Sequence, residues 1–419
     1  MVKANTVVVF ILLVRLLTDR DVAAIGIASG YLVVMAMLDV GPIRVLLRDY
    51  PTVARDRRSR DEHLTALVAF WIVQSAAMLL ACLALEIWVL PRVGIDGLGF
   101  LFFALTVDFL AVSFQDWLKL IFYTAFQQTL ATKFSFFLSI ARVLCYGLLL
   151  FAPSLTTYAW ILIATALVLC GIWWQLFRRR FDFHFLWHRR SIPILTASLR
   201  SYGLWDHLNR IVIDTVFTID TVILSWFVAV EPISDYTVAL RFTSLFFMIP
   251  MQLHLGLQVA LSNYRERADQ VAATNAFLKL SAAASLLQLA AVFWLGGPLI
   301  RLLFGGDTSP AVVQYATIIA IGVTVMNLSL PLLSVINNLG SLRHAFFTVF
   351  LPVLLLGLGI YVGATALRGT IGLAWANVAV YAIFALALVI YTFRHHPFPL
   401  AVTSLTPRER SFFRRVLRT

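Results

Sequence analysis

The sequence has little charge. Asp, Glu, Lys and Arg make up 13% of 419 residues, while hydrophobic residues make up 61%. Soluble globular domains carry about 25% charged and about 45–50% apolar residues. Too little polar surface remains to cover a water-soluble globule of this size. Disorder, which needs high charge and low hydrophobicity, is excluded as well. Cysteine is equally scarce: Cys82, Cys145 and Cys170 are the only three, each inside an apolar run. None stands in a C-x-x-C or Cys/His spacing, so neither a disulfide framework nor a zinc site is suggested. No metal ligand set, catalytic residue or cofactor is assigned. Lysine is limited to Lys3, Lys119, Lys133 and Lys279, so the net charge of +12 is almost entirely arginine. The N-terminus lacks an h-region followed by an A-x-A-like site, and no cleavable leader is expected.

What the sequence does contain is a series of apolar runs. A bilayer-spanning helix needs about 20 residues. Twelve runs approach or reach that length, near 4–18, 23–43, 64–85, 98–118, 134–152, 158–177, 206–229, 237–260, 279–300, 311–335, 345–365 and 370–393. The expected fold class is therefore all-α: a polytopic membrane protein of about 12 transmembrane helices. Because these runs interrupt the arginines, no nucleic-acid partner is expected. The first run is short and contains Arg15, which fits a helix only partly facing lipid.

The basic residues orient the set. With the N-terminus in the cytoplasm and the spans alternating, 25 of the 33 basic residues fall in cytoplasmic segments and only Arg20, Arg92, Arg301 and Arg368 fall outside. Such a bias follows the positive-inside rule and supports an even helix count with both termini cytoplasmic. The outside loops are short, which argues against a membrane enzyme with an external catalytic domain. The segment Phe183–Trp187, followed by His188, Arg189 and Arg190, suits the headgroup layer.

The basic loop at 178–200 divides the spans into six and six. This gives an N-terminal lobe 1–180, a linker 181–205, a C-terminal lobe 206–393 and a basic tail 394–419. Paired bundles of this kind are a common transporter plan. Three local patterns follow the same division. Leu38-Asp39-x-Gly41 with Arg44 and Arg48 closes the second span. Asp220-x-x-Ile223-Leu224 followed by Tyr236-x-x-Ala239 opens the second half. Leu302-Leu303-Phe304-Gly305, followed by Ala311, succeeds the ninth span. In their order and spacing these patterns resemble the bacterial polysaccharide flippases that move O-antigen and related repeat units on a polyprenyl lipid. That family shares a superfamily with the multidrug and toxin extrusion (MATE) antiporters and the peptidoglycan lipid flippase. The sequence departs from the pattern at Ser234, where the family usually has glycine, in its shorter first helix, and at the acidic turn Asp19-Arg20-Asp21.

The resemblance implies a MATE-like flippase fold, two six-helix lobes opening to one face at a time. The sugar–pyrophosphate headgroup would ride in the central cavity while the polyprenyl tail stays in lipid. It further implies a lipid-linked oligosaccharide as substrate, membrane lipid and a glycan polymerase or assembly machinery as partners, and a bacterial inner membrane location. A cation-coupled multidrug antiporter on the same architecture is the alternative.

Ionisable residues inside spans are costly and mark function. On the fifth span Ser135, Ser139, Arg142 and Tyr146 form one polar stripe at helical spacing. On the eighth, Thr237, Arg241 and Ser244 do the same. A lipid pyrophosphate needs cations that replace water, and arginine binds phosphate oxygens through a planar fork. Arg241, then Arg142, then Arg15 and Arg44 are the headgroup candidates, set against structural ion pairs or snorkelling. Arg210 ranks lower, because Asp206 and Asp214 lie one turn away. Among the in-span acids, Asp108 is the candidate for ion coupling, whereas Asp39 and Asp220 suit helix-end capping. Trp71, Trp88, Trp160, Trp173, Trp174 and Trp226 suit an aromatic belt, and Trp117, Trp205 and Trp375 are the candidates for stacking on sugar.

Overall fold

A computed structural model of the chain describes residues 2–40, 56–125, 127–186, 204–264, 266–306 and 308–397. Among them all the regular structure is helical, with no strand. The chain divides into two units, Met1–Asp214 and Thr215–Thr419.

The first unit holds α1 (Val2–Leu16), α2 (Asp19–Leu38), α3 (Arg57–Trp88), α4 (Leu98–Thr124), α5 (Gln128–Tyr146) and α6 (Leu155–Phe181), followed by the start of α7 (Leu204–Thr218). The acidic turn Asp19-Arg20-Asp21 acts as a capping box. Thr18 Oγ1 accepts from the Asp21 amide at 3.3 Å, and Asp21 Oδ2 accepts from the Thr18 amide at 3.2 Å. Two orphan donors at the helix start are thereby satisfied. α3 begins seven residues before its apolar run, because Asp56 caps it by accepting from the Ser59 amide at 2.9 Å. α4 is the central helix and packs against α2, α3, α5 and α6.

The second unit holds the rest of α7, α8 (Asp220–Phe227), α9 (Val230–Ser244), α10 (Met248–Asn263), α11 (Arg267–Phe304), α12 (Pro310–Leu339), the single turn α13 (Leu342–Ala345) and α14 (Leu351–His395). Its central helix is α12, which packs against α9, α10, α11 and α14. In each unit, then, the fourth span is the core and the second, third, fifth and sixth surround it. This is the packing of an internal repeat.

α14 is two spans rather than one. Gly369 adopts φ 58°, ψ −140°, a left-handed conformation that favours glycine. Around it the chain folds back on itself: Tyr361 reaches Asn377 and Gly357 faces Val380. A Cβ on Gly372 would lie 2.1 Å from the Ala364 carbonyl oxygen, so only glycine permits this approach of the two arms.

Nine helices among the described residues are long and apolar enough to cross a membrane, and the last of them contains this hairpin. α1, with 15 residues, and the α7–α8 pair, interrupted at Ile219, supply the remaining spans. Each of the twelve expected runs therefore has a helical counterpart. Large apolar side chains such as Ile72, Leu80, Leu144, Leu287 and Trp294 are exposed along these helices. In water that would be an aggregation surface, and in a bilayer it is lipid contact. The chain is a multi-pass membrane protein.

Trp88, Trp160 and Trp226 are exposed, as an interfacial belt requires. Trp173 and Trp117 are not. They are buried in an aromatic core with Phe114, Phe122, Phe177, Phe181 and Phe183, and Trp71 and Trp174 pack against it. Trp117 is therefore core rather than cavity wall. The linker segment after α6 enters the same core: Phe183 is buried, and the His184 amide donates to Asp61 Oδ2 at 3.3 Å. The segment through Leu186 packs on protein as well as suiting the headgroup layer, and 187–190 lie outside the described residues.

Candidate functional site

The polar stripe on α5 faces inward. Ser135, Ser139 and Arg142 are half-buried and Tyr146 is buried, whereas Phe137 and Leu144 on the opposite face are exposed. Arg142 meets Asp108 on α4. Its Nη2 donates to both carboxylate oxygens at 2.6 Å and lies 3.5 Å from the Tyr146 hydroxyl. All three contacts use the one nitrogen. Nε and Nη1 have no acceptor among the described residues. Asp108 lies about 15 Å along α4 from its first residue, well inside the span. The ion pair keeps some exposure, 22% for the Arg142 side chain and 16% for Asp108.

A second cluster gathers at the far end of α2. Asp39 Oδ1 accepts from Gln74 Nε2 at 2.7 Å, and Oδ2 accepts from Ser113 Oγ at 3.5 Å. Arg210 Nη2 donates to the Asp39 carbonyl at 2.7 Å, and its guanidinium is 3.7 Å from Oδ2. His207 Nε2 lies 3.0 Å from the Met37 carbonyl. The last carbonyls of a helix favour a cation. Asp39 sits at the helix end, as expected, but it also binds three neighbouring elements together. Arg210 therefore lies between two carboxylates, Asp39 at 3.7 Å and Asp214 at 3.9 Å.

The second unit contains a buried polar network. Asp220 Oδ1 accepts from the Thr221 amide at 2.8 Å, and Oδ2 accepts from the Tyr236 hydroxyl at 2.9 Å. Asn377 Nδ2 donates to the Tyr236 oxygen at 2.5 Å and approaches Asp220 Oδ2 at 3.5 Å. The Tyr361 hydroxyl lies 2.9 Å from Asn377 Oδ1 and 3.1 Å from the Val216 carbonyl, and its one proton serves either. Asp220 does not cap its helix, contrary to expectation: Ile219 occupies the N-cap position and no side chain caps this helix. Asp220 is its first residue, is 1% exposed and sits inside this network. Arg241 on α9 is half-buried and interacts electrostatically with Asp220.

Of the headgroup candidates, Arg142 and Arg15 belong to the first unit and Arg241 to the second. Arg15 is exposed in the last turn of α1, which packs on α5. Arg44 lies outside the described residues. The spacing of polar residues identified Arg142, Tyr146 and Arg241. It missed Tyr361 and Asn377, whose only sequence signal is a lone amide and a phenol within apolar runs.

No protein-family model matches the sequence, and no curated protein matches it. Solved structures do match. An inward-facing multidrug resistance MATE family transporter of the MOP superfamily aligns with a TM-score of 0.70 at 15% identity, over 96% of both chains. The lipid II flippase MurJ, in an inward closed conformation, aligns at 0.67 and 13% identity, over 93% of this chain and 85% of its own. A MOP superfamily transporter from Pyrococcus furiosus, described as having a binding pocket of reverse polarity, aligns at 0.59 and 15%, over 93% of both. At these identities the likeness establishes the fold, the all-α architecture shared by MATE transporters and MurJ.

Proposed function

We propose that the chain is a transporter of lipid-linked oligosaccharides, flipping a polyprenyl-pyrophosphate-linked repeat unit across a bacterial inner membrane by alternating access. One observation carries this reading: Arg142 holds a guanidinium inside a span, partly exposed and engaged, among the described residues, through Nη2 alone. Arginine in that setting offers a phosphate the paired donors that replace its water. Arg241 is a second half-buried cation on a span of the other unit, and Arg15 and Arg44 complete the candidate set. The fold is one on which a lipid II flippase is built, which favours a lipid-borne cargo. In this reading residues 1–180 and 206–393 are the two lobes, 181–205 the linker and 394–419 a basic tail on the cytoplasmic side. An inside-negative potential then favours outward movement of the anion by about 2.3 kcal/mol per charge per 100 mV. Membrane lipid surrounds the cargo's tail, and a glycan polymerase or assembly machinery receives its headgroup.

The buried Asp220 network favours a second reading, a cation-coupled multidrug antiporter on the same architecture. A carboxylate held inside a span by neutral donors is a place where H+ or Na+ can bind. Asp108, paired with Arg142, is the coupling candidate in the first unit. Proteoliposomes containing the full chain separate the readings. Movement of a fluorescent polyprenyl pyrophosphate without movement of ethidium supports the flippase. Ethidium movement driven by a cation gradient, with the lipid left in place, supports the antiporter.

A further inference from the structure

Arg142 as a headgroup contact leaves Asp108 to be explained, because this carboxylate occupies the place that an anionic cargo needs. We propose that Asp108 is the resting occupant of the anion site, a built-in competitor that admits multiply charged headgroups and rejects singly charged ones. The inference rests on the flippase reading of Arg142.

The argument comes from how the acids of this chain are held. Asp220 is fixed by Thr221, Tyr236 and Asn377. Asp39 is fixed by Gln74, Ser113 and Arg210. Asp61 accepts from Arg60 Nε at 2.9 Å and Nη2 at 2.7 Å, and from the His184 amide. Glu62, Asp116 and Asp182 also have one basic partner each, but every one of those pairs has a largely exposed member. Asp108 differs from both groups: Arg142 alone holds it among the described residues, through one nitrogen, and both members of the pair are mostly shielded yet keep some exposure. An acid with several fixed donors is a structural element, whereas an acid with one partner can be exchanged for another anion. A phosphate oxygen meets the same N–H donors at the same distances as a carboxylate oxygen.

Exchange sets the specificity. Any anion that takes Arg142 leaves Asp108 unpaired, which is unfavourable inside a span, and a singly charged headgroup gains on the guanidinium no more than the carboxylate it replaces. A pyrophosphate brings more charge and more acceptor oxygens, and can engage Nε and Nη1 together with Nη2. On release, Asp108 re-forms the resting pair and expels the cargo. The nearby titratable groups are Tyr146 and Cys145 on α5 itself, and neither supplies a competing carboxylate.

The test uses two probes with one tail, farnesyl pyrophosphate and farnesoic acid, binding to the detergent-solubilised full chain. The parent chain is expected to prefer the pyrophosphate by more than about tenfold. In Asp108→Asn farnesoic acid binds about tenfold tighter than to the parent and the preference shrinks, while Asp108→Glu keeps the parent's preference. Arg142→Gln weakens pyrophosphate binding about tenfold. If Asp108→Asn binds both probes as the parent does while Arg142→Gln loses the pyrophosphate, the competitor role is overturned and the headgroup site stands. If Arg142→Gln binds like the parent, the headgroup site itself fails. Asp108→Ser replaces Asp108→Asn if the latter is not recovered folded. Failure of both neutral variants to fold would make the pair structural and overturn the proposal.

Discussion

The Tyr236 hydroxyl donates to Asp220 Oδ2 at 2.9 Å, joining two spans at a point where both side chains are buried. These are the residues that open the two local patterns at the start of the second half. Their proximity gives those patterns a physical basis: a carboxylate at the start of α8 needs a donor from α9. Tyr236→Phe leaves the buried carboxylate without its hydroxyl donor. A hydrogen bond to a charged group contributes roughly 1.5–3 kcal/mol, and Tyr236→Phe is expected to lose about that much stability. Asp220→Asn removes the buried charge while its amide oxygen still accepts, so its loss is expected to stay below about 1 kcal/mol. Thermal unfolding in detergent measures both. The reverse order would show that Arg241, rather than the hydroxyl, compensates Asp220.

The hairpin at Gly369 makes a sharper prediction. Gly372→Ala places a Cβ 2.1 Å from the Ala364 carbonyl, a clash with backbone that only separation of the arms can relieve. The expected loss is on the order of 3 kcal/mol. A Cβ added to Gly359, on the same helix, would meet nothing within 4 Å. Gly359→Ala is expected to leave stability unchanged or raise it by up to about 1 kcal/mol through helix propensity. Yields of monodisperse protein and unfolding midpoints for the two variants check the contrast, and equal behaviour would refute the close approach.

Arg210 holds the end of α2 through the Asp39 carbonyl. Arg210→Gln removes the cation from that helix terminus but leaves Gln74 and Ser113 on the Asp39 side chain. The expected result is fraying confined to the last turn, at a cost of about 1 kcal/mol. Amide exchange should quicken at 36–40 and remain unchanged at 20–30. Uniform acceleration along α2 would mean that the clamp holds the whole helix rather than its end.

The spans were legible in the sequence because apolar run length is a local property. The starts of α3 and α11 were not, because their first turns are polar and helical all the same. Asp56 supplies the cap for α3, while α11 starts at Arg267, twelve residues ahead of its apolar run. The inward stripe of Arg142 and Tyr146 was legible from i, i+4 spacing on one helix. Its partner Asp108 was visible only as a separate candidate, because it reaches the stripe from a neighbouring helix and spacing says nothing about which helices pack. The same limit hid Asn377 and Tyr361. Trp173 and Trp117 fall near span ends and are nevertheless buried, because Phe181 and Phe183 continue the aromatic core beyond the apolar run.

The central claim is that cations within the spans select an anionic lipid cargo. The most direct measurement is the rate at which a fluorescent polyprenyl pyrophosphate crosses proteoliposome membranes containing the parent chain or the double variant Arg142→Gln, Arg241→Gln. The account predicts that the parent chain speeds the crossing well above protein-free vesicles and that the double variant loses at least about 90% of that rate while remaining folded, a rise of at least about 1.4 kcal/mol in the barrier. Equal rates for the two proteins would contradict it.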